Sequence, residues 1–259
     1  MNARAWSALL VAAVAGLPAA ARAQELAQRV EGAGDGTVRF SYATRPGVEI
    51  CDQGIRMGEH HVWWRSHGWD DVATHCRMGP AEVEVRVRDG EVRHVEVVRG
   101  PQDRTSGATD LGEVGARDAV AFLLDVARSA PSSAAEDAVF PTVLADVDDV
   151  WRDLLSLAKE RSAPRSSRKS ALFWIGQEAA DAATRGLSDV ALADDEDQDV
   201  RDAAVFALSQ RPDRESLPVL MELARTAKQA KTRRTAMFWL AQSDDPRVVA
   251  FFEEILVGG

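Results

Sequence analysis

The sequence predicts an α+β chain: a small antiparallel β domain over residues 37–100, a linker over 101–115 and an α-solenoid over 116–259. Three observations lead there. Apolar and polar residues alternate with a period of two in the first part, and from Ala116 the apolar period changes to 3.6. The tail then repeats itself every 32 to 33 residues, and a fixed period of that length marks stacked structural repeats.

The β domain begins with Val38, Phe40 and Tyr42 alternating with Arg39, Ser41 and Ala43. Arg45-Pro46-Gly47 reads as a turn before a short strand at 48–51, and Val62-Trp63-Trp64 is a further strand candidate. The strongest signal is Val83, Val85 and Val87, then Asp89-Gly90, then Val92, Val95 and Val97. Asp-Gly between two such runs specifies a hairpin. The second arm alternates less regularly, so its register stays open. A sheet of three to five strands buries too little by itself. Cys51 and Cys76 then become relevant, because a bridge across their 25-residue separation would contribute about 3 kcal/mol by loop entropy.

The repeat shows in three stretches: RKSALFWIGQ at 168–177, RDAAVFALSQ at 201–210 and RRTAMFWLAQ at 233–242. Phe173, Phe206 and Phe238 recur in steps of 33 and 32, as do Gln177, Gln210 and Gln242. One step back from Phe173 falls on Phe140, in a weaker copy interrupted by Pro141. Each stretch is a helix with one apolar stripe, such as Ala171, Leu172 and Ile175, and the recurring alanine predicts close backbone approach. Apolar helices lie between them at 151–158, 187–192, 217–224 and 248–256, with an earlier one at 119–127. A single pair cannot hide its apolar face from water, and stacking pairs makes one continuous core.

This region, roughly 117–257, resembles the HEAT-repeat family in its short bacterial form. The resemblance rests on Ser167-Arg168, Val200-Arg201 and Thr232-Arg233 opening the second helix of each unit, on the Asp-rich turn 194–199, and on Asp244-Asp245-Pro246-Arg247-Val248. It implies a right-handed α-solenoid of HEAT-like repeats. It also implies that the Asp caps a helix while Arg168, Arg201 and Arg233 form a structural ladder bracing adjacent units. Asp199 is itself a plausible N-cap. Family members are mostly scaffolds, so the resemblance implies a non-catalytic protein-protein interaction or scaffold protein. It names no chemistry.

The first 23 residues read as a signal peptide. Arg4 supplies a basic start, residues 6–17 form an apolar run, and Ala21-Arg22-Ala23 suits cleavage before Gln24. The run is short for a membrane span. A secreted or periplasmic chain follows, without stable membrane insertion. Gln24 to Gly36 reads as a polar lead-in. The net charge is -10. Loss of Arg4 and Arg22 with the leader leaves 29 of the 31 basic residues against 41 acidic ones, or -12. Such a chain repels nucleic acid, so another protein or peptide is the expected partner.

Candidate sites are few. Six of the seven His and Cys residues, Cys51, His60, His61, His67, His75 and Cys76, fall within 26 positions. Zinc or copper accepts such ligands, but no CxxC or HExxH spacing is present. An exported chain favours a Cys51–Cys76 disulfide, and no cofactor is expected. The alternative is a metal-binding protein or metal-dependent enzyme centred on 51–76 through His60, His61 and His67. Trp63, Trp64 and Trp69 in the same segment are either core or a binding surface. Trp174 and Trp239, with the three recurring Phe, are either buried between helices or anchors for a partner. Gln177, Gln210 and Gln242 either close helix ends or form a polar ladder for a ligand. The acidic run 194–199 reads as a solvated loop, since its spacing matches no calcium loop. No GxSxG and no Gly-rich phosphate loop is present.

Overall fold

The computed structural model describes residues 19–52, 54–57, 75–177 and 181–257, with side chains from Gln24 onward and excepting Asp181. The predicted leader up to Pro18, the strand candidate at 62–64 and the residues of the His-rich segment between 58 and 74 lie outside the described residues. The chain divides into two compact units: residues up to Asp125 together with Leu144–Val147, and residues 126–143 together with those from Asp148 on.

The first unit opens with helix α1, Ala19–Gly32. The predicted lead-in is therefore helical, and the predicted cleavage point before Gln24 falls inside it. Leu26 and Val30, one helical turn apart, are both buried, and two apolar residues among polar ones were too sparse a period to read. Strands β1 (Gly36–Tyr42), β2 (Val48–Cys51), β3 (Gly54–Met57), β4 (Cys76–Met78), β5 (Ala81–Arg88), β6 (Glu91–Val98) and β7 (Thr109–Glu113) follow, then helix α2 (Ala116–Ser129). They make a four-stranded sheet in the order β6-β5-β1-β7 and a three-stranded sheet in the order β3-β2-β4. Asp89 and Gly90 turn the β5–β6 hairpin with φ of 55° and 72°, the positive pair that a tight two-residue hairpin needs. A register shift beside Arg86 sets Val87 against Val92 and Arg86 against His94. That bulge explains the imperfect alternation of the second arm.

Two expectations are corrected. The sheet is not wholly antiparallel, because β7 runs parallel to β1. The stretch 101–115 is not a plain linker, because it holds β7 and a 3-10 turn at Pro101–Asp103. An exposed edge strand reading Thr-Asp-Leu-Gly-Glu buries too little to show alternation.

On the apolar face of the large sheet, Val38, Phe40 and Tyr42 of β1 stand opposite Val85, Val83 and Ala81 of β5. Phe122 of α2 meets Phe40 edge-on, with ring centroids 5.9 Å apart. The other face is also covered. Glu82 and Glu84 are buried, although alternation placed them toward solvent. Arg39 donates to Glu84 at 3.0 and 2.6 Å, and Arg104 forks onto Glu82 at 2.9 and 2.7 Å. The Thr105 amide donates to Glu84 at 2.9 Å. Burial would raise the Glu84 carboxyl, but the bonds from Thr105 and Arg39 outweigh it and hold the group below its ordinary value.

In the second unit the helices are α3 (Ser132–Asp137), α4 (Val139–Leu144, which ends in the first unit), α5 (Val150–Lys159), α6 (Arg165–Gly176), α7 (Asp181–Leu192), α8 (Gln198–Ser209), α9 (Asp213–Thr226), α10 (Ala230–Leu240) and α11 (Pro246–Val257). Pro141 sits in the first turn of α4, where its missing amide costs little. The helices pair as α5 with α6, α7 with α8 and α9 with α10. First helices touch first helices, and second helices touch second helices, from unit to unit. These are the helical repeats that the period predicted. Ala171, Ala204 and Ala236 are fully buried. Backbone meets backbone at Gly176 of α6, where an added Cβ would lie 2.8 Å from the Ala207 carbonyl oxygen of α8. Ala207 occupies the position held by Trp174 and Trp239 in the neighbouring copies, and a backbone this close leaves no space for a ring.

Two tests follow from this packing. Glu84→Ala removes the buried carboxylate that accepts from Arg39 and from the Thr105 amide, leaving Arg39 with Glu82 alone, and is expected to cost about 2 kcal/mol in urea unfolding. Because the folded Glu84 value is depressed, its contribution is complete above the ordinary carboxylate value and is lost as pH falls through the folded one. Stability of the Glu84→Gln protein should therefore fall less on acidification than that of the native protein. Gly176→Ala is expected to lower the melting temperature, since overpacking of about 1–3 kcal/mol exceeds the gain in helix propensity of about 1 kcal/mol.

Candidate functional site

The repeated arginines all perform the same local task. Arg168 of α6 donates from Nε to the Ala158 carbonyl at 2.9 Å. Arg201 of α8 donates to the Ala193 carbonyl at 3.0 Å and the Glu196 carbonyl at 2.5 Å. Arg233 of α10 reaches the carbonyls of Ala227 and Lys228 at 2.7 and 2.9 Å. Each guanidinium therefore closes the C-terminal end of the first helix of its own unit, where carbonyls lack helical partners. Only Arg168 also reaches across units, to Glu196, and both side chains are buried. The Nε of Arg201 is buried without a partner.

The acidic run is a largely exposed turn, with Glu196 alone buried, but its carboxylates are paired. Asp194 pairs with Lys228, Asp195 with Arg161, Glu196 with Arg168 and Asp197 with Arg165. Bonds from Lys228 hold the Asp194 carboxyl below its ordinary value, and bonds from Arg161 do the same for Asp195. The turn between α7 and α8 lies between the corresponding turns before and after it, so its carboxylates meet their cations. A linear reading could not show this, because the partners are 28 to 34 residues away. Asp197, rather than Asp199, is the residue at the start of α8. The cap implied by Asp-Pro does form at α11. Asp245 accepts the Arg247 amide at 2.9 Å, and its bonds to Arg247 lower its carboxyl to about 2.

The aromatic residues form one row across the second helices. Phe140 of α4 stacks on Trp174 of α6 at 4.8 Å, and Trp174 meets Phe173 edge-on at 5.0 Å. Phe173 lies nearly parallel to Phe206 of α8 at 6.4 Å, with 11° between the planes. Phe206 meets Trp239 of α10 at 5.0 Å, and Trp239 meets Phe238 at 5.0 Å. Phe140 is half-buried, and from Trp174 onward exposure increases. Trp174 is buried, Phe173, Phe206 and Trp239 are half-buried, and Phe238 is 56 % exposed. Trp174 is thus a core ring, and the open end of the row offers apolar surface to solvent.

Beside this row, Gln177, Gln210 and Gln242 each close a helix end by donating the backbone amide three residues back, at 3.1, 3.2 and 3.1 Å. The side chains of Gln210 and Gln242 bond only locally, to Ser209 and to the Phe238 carbonyl. Both are exposed at the same edge of the row.

In the first unit, Cys51 and Cys76 are joined by a disulfide with an S–S distance of 2.05 Å, as opposite residues of β2 and β4. Glu49 lies close enough to make a three-donor cluster with the two sulfurs, but disulfide sulfurs are not thiolates and lack the charge that binds a metal ion. His75 faces Asp52 at 3.6 Å and is well exposed. His60, His61 and His67, with Trp63, Trp64 and Trp69, lie outside the described residues. Among the described residues no helix is long and apolar enough to cross a membrane.

Residues 186–258 match the family model described as HEAT repeats. The resemblance read over 117–257 is therefore matched in its C-terminal half, from within α7 to the end of α11. No curated protein matches the chain. HEAT repeats generally mediate protein–protein interaction.

Arg168 and Arg233 should differ sharply when removed. Arg168→Ala leaves Glu196 buried without its cation and is expected to cost about 3 kcal/mol or more. Arg233→Ala removes only partly exposed bonds to carbonyls, at about 1 kcal/mol. Denaturant unfolding of both variants measures the contrast.

Proposed function

We propose that this HEAT-repeat chain is a non-catalytic interaction or scaffold protein of the cell envelope, exported through its N-terminal leader. Its helix pairs stack as a right-handed α-solenoid. The face made by α6, α8 and α10 holds a partner protein by surface complementarity, with no covalent step. The observation that carries this reading is the aromatic row. Rings that served only the core would be buried in every unit, yet of the six only Trp174 is buried, and the row ends with Phe238 mostly exposed. Large half-exposed aromatic side chains in a contiguous line are what interface anchors are made of. The disulfide supports an oxidising compartment, and the acidic balance of -10 supports a protein partner over nucleic acid.

The test is a crosslinked capture from an envelope fraction with purified protein as bait. Phe238→Ala, at an exposed site, should leave the melting temperature nearly unchanged and lose a reproducible partner. Trp174→Ala, at a buried one, should cost about 3–5 kcal/mol. Capture that is indifferent to Phe238, with the variant folded, removes the face from consideration.

A further inference from the structure

The outward face of the second helices repeats more than its rings. Each helix presents the same three positions in one register: a small residue (Ser170, Ala203, Thr235), a Phe (Phe173, Phe206, Phe238) and a Gln (Gln177, Gln210, Gln242). A carboxamide carries both donors and an acceptor, which is what a peptide backbone needs from its neighbour. One residue after each ladder arginine stands a charged group: Lys169, Asp202 and Arg234. These three differ in what they have left to offer. Asp202 accepts from Gln198 at 2.9 Å and Thr235 at 3.0 Å, and pairs with Lys231 at 3.0 Å. Those bonds outweigh its burial and hold its carboxyl below its ordinary value. Lys169 and Arg234 are exposed, and among the described residues neither has an ion-pair partner. Asp199 is exposed on the same helix as Asp202, two turns toward the α8 N-terminus from Phe206. The face thus carries free positive charge one turn from the ring row on its two flanking helices; of the acids between them Asp202, nearest the row, is saturated, and Asp199 stands a further turn away.

We propose that this face takes an extended acidic peptide segment of the partner, lying across α6, α8 and α10. Its backbone crosses over the Phe row, where an apolar side chain meets the rings over α8, the glutamine carboxamides approach from one side, and two carboxylates reach Lys169 and Arg234 on the other. The geometry sets the spacing of those carboxylates. Neighbouring helices pack about 8–10 Å apart, and an extended chain advances about 3.3 Å per residue. Two helix steps therefore span about five or six residues. The inference rests on the proposed interaction face and adds the class of ligand and its charge spacing.

The experiment is display selection of random twelve-residue peptides on the purified full-length protein, in parallel with a Lys169→Glu/Arg234→Glu variant shown to be folded by its melting temperature. Both substitutions are at exposed sites outside the packed stripe. Selection on the native protein should enrich peptides with two acidic residues about five or six positions apart and an apolar residue between. The enriched peptides, synthesised with a fluorescent label, should bind the double variant at least tenfold more weakly, with most of the difference lost at high salt. Enrichment of basic or uncharged peptides, equal binding to the double variant, or no enrichment above that variant overturns the proposal. If a Phe238-dependent partner is still captured in that case, the face binds a folded surface, and the interaction reading stands without the peptide.

Discussion

A pair of helices in water leaves one apolar stripe uncovered, and in this protein the uncovered stripe of each pair is met by the next pair. Everything distinctive in the C-terminal unit depends on how near those pairs come. Gly176 stands against the backbone at Ala207 with no space for a further methyl group, and Ala171, Ala204 and Ala236 are fully buried in the same layer. At that distance rings from successive units come within 5.0 to 6.4 Å of one another. Wider spacing would separate them into isolated side chains. The contact that binds the units is thus also what assembles the candidate face.

Polar groups define the geometry that the apolar contact leaves free. Dispersion and burial are non-directional, so they do not settle the angle within a helix pair. The guanidiniums of Arg168, Arg201 and Arg233 do, because each must aim at carbonyls at the end of the preceding helix. Between units the same part falls to ion pairs such as Arg165–Asp197, Lys159–Asp189 and Arg225–Glu254. Exposed pairs of this kind contribute little each. Their effect is on register more than on stability, and the buried Arg168–Glu196 pair is the exception that also matters to stability.

The first unit uses a comparable device on a sheet. Glu82 and Glu84 sit where strand alternation points toward water, and the stretch from Pro101 to Thr105 brings Arg104 and a backbone amide to cover them. A buried carboxylate must be paired or hydrogen-bonded, so this short polar segment is held in place by what lies beneath it. The Cys51–Cys76 bridge ties β2 to β4, in a three-stranded sheet whose strands are only three or four residues long.

What the sequence determined by itself was whatever has a period or a fixed local signature: the helix repeats from their 32- to 33-residue recurrence, the hairpin from Asp89-Gly90, the core stripe from i, i+1, i+4 spacing, and the cysteine pairing from the number of cysteines. What the tertiary structure alone decided were relations between residues far apart in the chain. The ion pairs of the acidic run 194–199, and the burial of Glu196 within it, were hidden because the cations are contributed by other units. β7 looked like a linker because an edge strand needs no alternation, and α1 was hidden because two apolar residues make a weak pattern. The ring positions were legible, but their exposure was not, since Trp174 and Trp239 share a sequence position and differ in burial. A side chain's environment depends on which neighbouring pair covers it, and that is a property of the stack rather than of the repeat.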